Sequence, residues 1–147
     1  MRVVVQRVVE ARVLVAGETV GEIGPGLCVL LGVAAGDDEG TAVRLAGKVA
    51  RLRIFENDEG RFDRSLVDTG GGALVVSQFT LVAESRRQRG TRPDFSQAAR
   101  PDVAEPLYER FCHELRELGV PVATGVFGAR MVIEIANDGP VTIVLDA

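Results

Sequence analysis

The stretch Ala73-Leu74-Val75-Val76-Ser77-Gln78-Phe79-Thr80-Leu81-Val82 decides how this chain is read. Leu74, Val75 and Val76 form a continuous apolar run, which suits a strand covered on both faces. Gly70, Gly71 and Gly72 punctuate its start, and the charged segment Glu84–Arg92 ends it. Into this run the sequence places Ser77, Gln78 and Thr80, whose polar atoms cost free energy when buried without partners. Polar atoms at the end of a central strand mark a ligand site, or else hydroxyls bonded to neighbouring backbone. The residues alone leave both readings open.

Outward from this strand, the N-terminal side reads as more strands and one helix. Residues 2–15 are extended, with Val3, Val5, Val8, Val13 and Val15 mostly alternating. Ala16-Gly17-Glu18 turns the chain and Thr19–Ile23 pairs back as a hairpin. After Gly24-Pro25-Gly26, Leu27–Val33 is another strand buried on both faces. Asp37 or Asp38 caps a helix with Ala42, Leu45, Ala46, Val49 and Leu52 on one stripe. A short strand around Arg53–Phe55 and a turn at Asn57-Asp58-Glu59-Gly60 follow. On the C-terminal side comes the basic loop Ser85–Pro93, then a helix over Asp102–Leu118 that tolerates Pro106 only in its first turn. Gly119 suits its C′ position. Val122–Val126, Met131–Ala136 and Val141–Leu145 read as strands. The order implies one α/β domain over residues 1–147, a mixed sheet with two main helices on one side.

Composition sets limits. With 147 residues, 46% hydrophobic and 26% charged, the chain has the balance of a globular domain with a substantial core. No apolar run reaches the roughly 20 residues that cross a bilayer, and the N-terminus lacks a secretory pattern, so the expectation is a cytoplasmic protein without a membrane partner. Cys28 and Cys112 fit buried reduced thiols. A net charge of −4 means that a polyanionic partner must be met by a local basic patch.

Elimination narrows the chemistry. One histidine, His113, and two cysteines without ligand spacing give no metal site. His113 and Cys112 are adjacent on a helix, so they point about 100° apart and form no dyad. The glycine run precedes a strand instead of opening a helix, so it cradles no phosphate. Two stretches remain: Ser77-Gln78-Phe79-Thr80-Leu81 and Asn137-Asp138-Gly139-Pro140-Val141-Thr142. By local chemistry the second is a tight turn whose proline blunts a strand start.

Taken together, these two motifs resemble the paired signatures of the D-aminoacyl-tRNA deacylases. The resemblance covers nearly the whole chain: Val5-Gln6-Arg7-Val8, Gly21-Glu22-Ile23-Gly24, Leu30-Leu31-Gly32-Val33, Arg53-Ile54-Phe55, Arg92-Pro93-Asp94-Phe95 and Thr124-Gly125-Val126-Phe127-Gly128. Phe62-Asp63-Arg64-Ser65 departs from the methionine and asparagine usual there, and the loop 85–91 is slightly longer. The resemblance implies a fold of mixed β-sheet in barrel-like layers. It also implies a homodimer with active sites at the interface, acting on D-aminoacyl-tRNA and glycyl-tRNA without metal or cofactor.

It implies roles as well. Gly139 and Pro140, joined by a cis bond, would enter the partner's pocket and exclude L-amino acids with their carbonyls. Ser77 and Gln78 would shape the pocket, backbone N–H groups near Gln78 and Phe79 would hold an oxyanion, and Thr80 would hold the amino end or a water. Phe127 and Met131 would pack on the terminal adenine. Arg86, Arg87, Arg89 and Arg92 would meet phosphates. The tRNA 2′-hydroxyl would assist the water. Two other readings stand beside this one: Thr80 as a covalent nucleophile, which lacks a visible activating base, and a non-enzymatic oligomeric RNA-binding protein.

Overall fold

The computed structural model describes residues 1–83 and 90–147. β1 (Arg2–Val15) is the strand on which the sheet is assembled. β2 (Glu18–Ile23) folds back on its second half, and β3 (Gly26–Gly32) pairs antiparallel with its first half. α1 (Glu39–Ala50) starts at Asp38, whose carboxylate accepts the Thr41 N–H at 2.8 Å. A hairpin of β4 (Phe55–Glu56) and β5 (Phe62–Arg64) and the single turn α2 (Leu66–Thr69) lead to β6 (Gly72–Ser77), parallel to β3. α3 (Pro101–Glu117) then returns the chain to β7 (Val122–Thr124), parallel to β6. β8 (Val132–Asp146) closes the chain along the whole of β1. The sheet order is β2-β1-β3-β6-β7, with β8 on the other edge of β1.

Alternation sorts the core into two layers. Val3, Val5, Leu27, Val29, Leu31, Ala73 and Val75 face α1 and α3, meeting Leu45, Val49, Leu107, Tyr108, Phe111 and Leu115. Cys28, Leu74 and Val76 point the other way, into a second cluster with Val8, Ala11 and Val13 of β1 and Ile133 and Ile135 of β8. β6 feeds both layers, as its continuous apolar run requires. The sheet nearly closes on itself where β2 meets β7: a Cβ on Gly21 would stand 2.2 Å from the Thr124 carbonyl oxygen. The expected α/β domain, a barrel-like mixed sheet with two main helices on one side, is what is found.

Local expectations needed correction in four places. The central strand stops at Ser77, and Phe79–Val82 is a 3₁₀ turn. Asn137–Pro140 is not a turn between two strands but a bulge inside one strand, β8. Between the pairs Gln6–Thr142 and Val8–Asn137, β1 advances two residues while β8 advances five, and the surplus loops out of the ladder. Pro106 sits beyond the first turn of α3, whose N1 position is taken by Pro101. Both Pro106 and Asp102 are exposed, so water meets the carbonyl that the proline cannot serve. β7 ends at Thr124, short of Val126.

Candidate active site

The C-terminal end of β6 is where the chain leaves the sheet. Gln78 N–H donates to Leu31 O at 2.8 Å, a last rung from β3, and Leu81 N–H then bonds Gln78 O at 3.2 Å to close the 3₁₀ turn. The turn lies directly on Gly32: a Cβ there would sit 2.9 Å from Gln78 O and 3.0 Å from the Leu81 Cβ. Only a residue without a side chain lets the loop come so close. After the loop the chain is re-anchored, with Ala35 N–H on Gln97 O (2.8 Å) and Ala99 N–H on Val33 O (3.0 Å).

Between these anchors lies a cavity of about 560 Å³. Ser77, Gln78 and Phe79 form one wall, Ala99 with Pro101 and Ala104 of the first turn of α3 a second, and Phe127, Met131 and Ile133 a third. Five residues singled out from the sequence thus meet at one place. Among the described residues, thirteen line the cavity and none of these carries a titratable side chain. Both aromatics at the cavity are backed by a second ring. Phe79, 57% exposed, meets Phe95 edge-on at 5.3 Å, and Phe127 meets Tyr108 at 5.9 Å.

The remaining residues fall elsewhere. Thr80 is exposed beside the cavity, and its hydroxyl accepts a hydrogen bond from the Gln78 amide. Because Gln78 N–H is engaged with Leu31, it is not available to an oxyanion. Phe79 N–H stands at the first position of the 3₁₀ turn, where intrahelical partners are lacking. His113 is exposed on α3 beside Glu117 and does not line the cavity. Arg92 is exposed and outside the cavity lining; Arg86, Arg87 and Arg89 lie outside the described residues.

Gly139 and Pro140 do not line the cavity of their own chain. They sit exposed on the β8 bulge, joined by a cis bond, with Gly139 at φ 121°. Beneath them is Arg7, only 5% exposed. Its guanidinium donates to Ile54 O (2.8 Å) and Asp138 O (3.2 Å), and faces the carboxylates of Glu56 (3.5 Å) and Asp138 (3.4 Å). Phe62 covers it at 5.6 Å. Sequence reasoning gave Arg7 no role. Its signal was an arginine between Val5 and Val8, in a strand whose other buried positions are apolar.

Comparison with known proteins agrees with this fold. The profile of the D-Tyr-tRNA(Tyr) deacylase family matches residues 4–146. A D-aminoacyl-tRNA deacylase of Roseiflexus castenholzii is 59% identical over 147 residues, covering all of this chain and 92% of the relative. A solved structure described as c-Myc DNA Unwinding Element Binding Protein superposes with a TM-score of 0.92 at 40% identity, covering 100% of this chain and 99% of that one. A structure described as a probable eukaryotic D-amino acid tRNA deacylase shares the fold at a TM-score of 0.85 and 24% identity, covering 99% and 98%. By its profile and by a relative matched over its full length, the chain belongs to the D-aminoacyl-tRNA deacylase family.

Proposed function

We propose that this hydrolase cleaves the ester joining a D-amino acid, or glycine, to the 3′-terminal ribose of tRNA, with the substrate's own 2′-hydroxyl assisting the attacking water. The observation that carries the reading is a cavity at the expected motif in whose lining, among the described residues, no side chain is titratable. An aminoacyl ester is already reactive, so fixing its geometry and stabilising the developing oxyanion can supply the acceleration. Water adds to the ester carbonyl, the bond to the 3′-oxygen breaks, and that oxygen leaves protonated with help from the neighbouring hydroxyl. Phe79 N–H receives the oxyanion, Ser77 and Gln78 shape the pocket, Thr80 holds the amino end or a water, and Phe127 with Met131 packs on the adenine. Arg86, Arg87, Arg89 and Arg92 meet the acceptor-stem phosphates.

Chirality is read by a second copy of the chain, whose Gly139 and Pro140 carbonyls would collide with an L side chain. Glycine has no side chain to exclude and is cleaved too. Two features support a homodimer. The gate residues stand exposed and away from their own cavity, and the outer edge of β8 has no strand partner among the described residues. An edge of that length is ordinarily covered.

The test is single-turnover deacylation of matched D-Tyr-tRNA, L-Tyr-tRNA and Gly-tRNA at enzyme excess. Rapid loss of the D and glycyl esters with the L ester intact is expected; survival of all three overturns the reading. Thr80→Ala separates this mechanism from a covalent one. Retention of most single-turnover activity is expected, because no base among the described residues faces the Thr80 hydroxyl. Complete loss would favour the nucleophile.

A further inference from the structure

We propose that Tyr108 is a positioning residue that holds Phe127, the wall against which the terminal base packs; this rests on the reading of Phe127 given above. Tyr108 lies on α3, is 6% exposed and does not itself line the cavity. Its hydroxyl donates to Val75 O at 2.7 Å in a buried setting. Val75 is the last residue of β6 in register with β7, opposite Thr124. Immediately after Thr124 the chain leaves the sheet and makes the turn that carries Phe127, closed by Ala129 N–H on Val126 O at 3.1 Å. The hydroxyl therefore grips the strand pair at the point from which the Phe127 turn departs.

The ring completes the arrangement. Its centroid lies 5.9 Å from that of Phe127, the two planes inclined by 50°. A buried hydroxyl is unfavourable unless bonded, so the bond to Val75, with Thr124 and Cys112 beside it, fixes where the ring rests along α3. Burial raises the phenol pKa well above its ordinary value, so the group remains a donor at neutral pH. Ser77, Gln78 and Phe79 are held separately, through the rung from Gln78 to Leu31 and the contact with Gly32. Loosening Tyr108 should thus weaken seating of the tRNA end and leave the reacting geometry intact.

The experiment is steady-state deacylation of D-Tyr-tRNA by wild type, Tyr108→Phe, Phe127→Ala and the double variant. Tyr108→Phe should raise KM roughly 2–12-fold, the equilibrium worth of one hydrogen bond, with kcat within about twofold. In the Phe127→Ala background the same substitution should change KM no further, because the residue acted upon is gone. An unchanged KM, a parallel fall in kcat, or the same factor persisting without Phe127 would make Tyr108 a core residue only. A second measurement needs no variant that must fold. The chain has one tyrosine and no tryptophan, so its ultraviolet emission reports Tyr108 alone. Titrating wild type with 3′-deoxy-3′-(D-alanylamino)adenosine should shift that emission. Inhibition of deacylation by this compound with unchanged emission overturns the proposal. An inactive wild type sinks the functional reading and this one with it; an active wild type indifferent to Tyr108→Phe sinks this one alone.

Discussion

Arg7 shows how one residue can decide the shape of a distant-looking motif. A buried guanidinium is costly unless its donors are met, and here two backbone carbonyls and two carboxylates meet them. The carboxylates of Glu56 and Asp138 are each half exposed, so removing the arginine returns them to water and strands no buried charge. The loss is then chiefly that of the two carbonyl hydrogen bonds. Arg7→Met, which keeps most of the stem, should cost about 1–3 kcal/mol, well below the 3–5 kcal/mol of a fully buried broken pair. Urea denaturation checks the figure. Hydrogen exchange should accelerate at residues 138–141 more than elsewhere, since the bulge loses its support.

Elements obey local rules until a neighbour overrules them. β1, α1 and α3 were legible because alternation or a helical stripe runs along each, and β3 because its apolar run is continuous. α3 ends as Gly119 implies, with Gly119 N–H on Arg116 O and Val120 N–H on Leu115 O. Phe79–Val82 was not legible: its residues favour a strand, and the bend is imposed from β3 through Gly32, a contact between distant parts of the chain. Gly32→Ala should therefore destabilise by about 1–3 kcal/mol through overpacking and lower the melting temperature by roughly 2–12 °C. It should also slow deacylation, because Gln78 and Phe79 move. Asn137–Pro140 misled for a similar reason, since Asp-Gly signals a hairpin locally while β1 continues past it and absorbs the surplus in a bulge. In the site, the motif residues were legible, but the wall from Ala99, Pro101 and Ala104 has no local signature. The helix starts carry a pH prediction. Asp38 is held below the usual carboxylate range by hydrogen bonds from Thr41, and Asp68 by hydrogen bonds from Ser65. A depressed folded value gives stability that is present above the unfolded value, about 3.9, and lost as pH falls through the folded one. The melting temperature should hold from pH 7 to about 5 and drop below about 4. Asp38→Asn with Asp68→Asn, which keeps the acceptors but removes the charges, should flatten that acid limb.

Across the whole molecule, the two core layers share β6 and are expected to come apart together, and the chain carries a means of checking this. Cys28 belongs to the layer between β1, β6 and β8, Cys112 to the layer under α1 and α3. Both are free and buried, and burial pushes each thiol up to about 11. At neutral pH the reactive thiolate is then of order 10⁻⁴ of either population, so alkylation awaits opening. Native protein should resist iodoacetamide, and both sites should be modified with one midpoint across a urea gradient, read by peptide mass spectrometry. Separate midpoints would mean the layers melt independently. The two sulfur atoms thus act as paired clocks, one in each half of the interior, started only when the barrel lets solvent in.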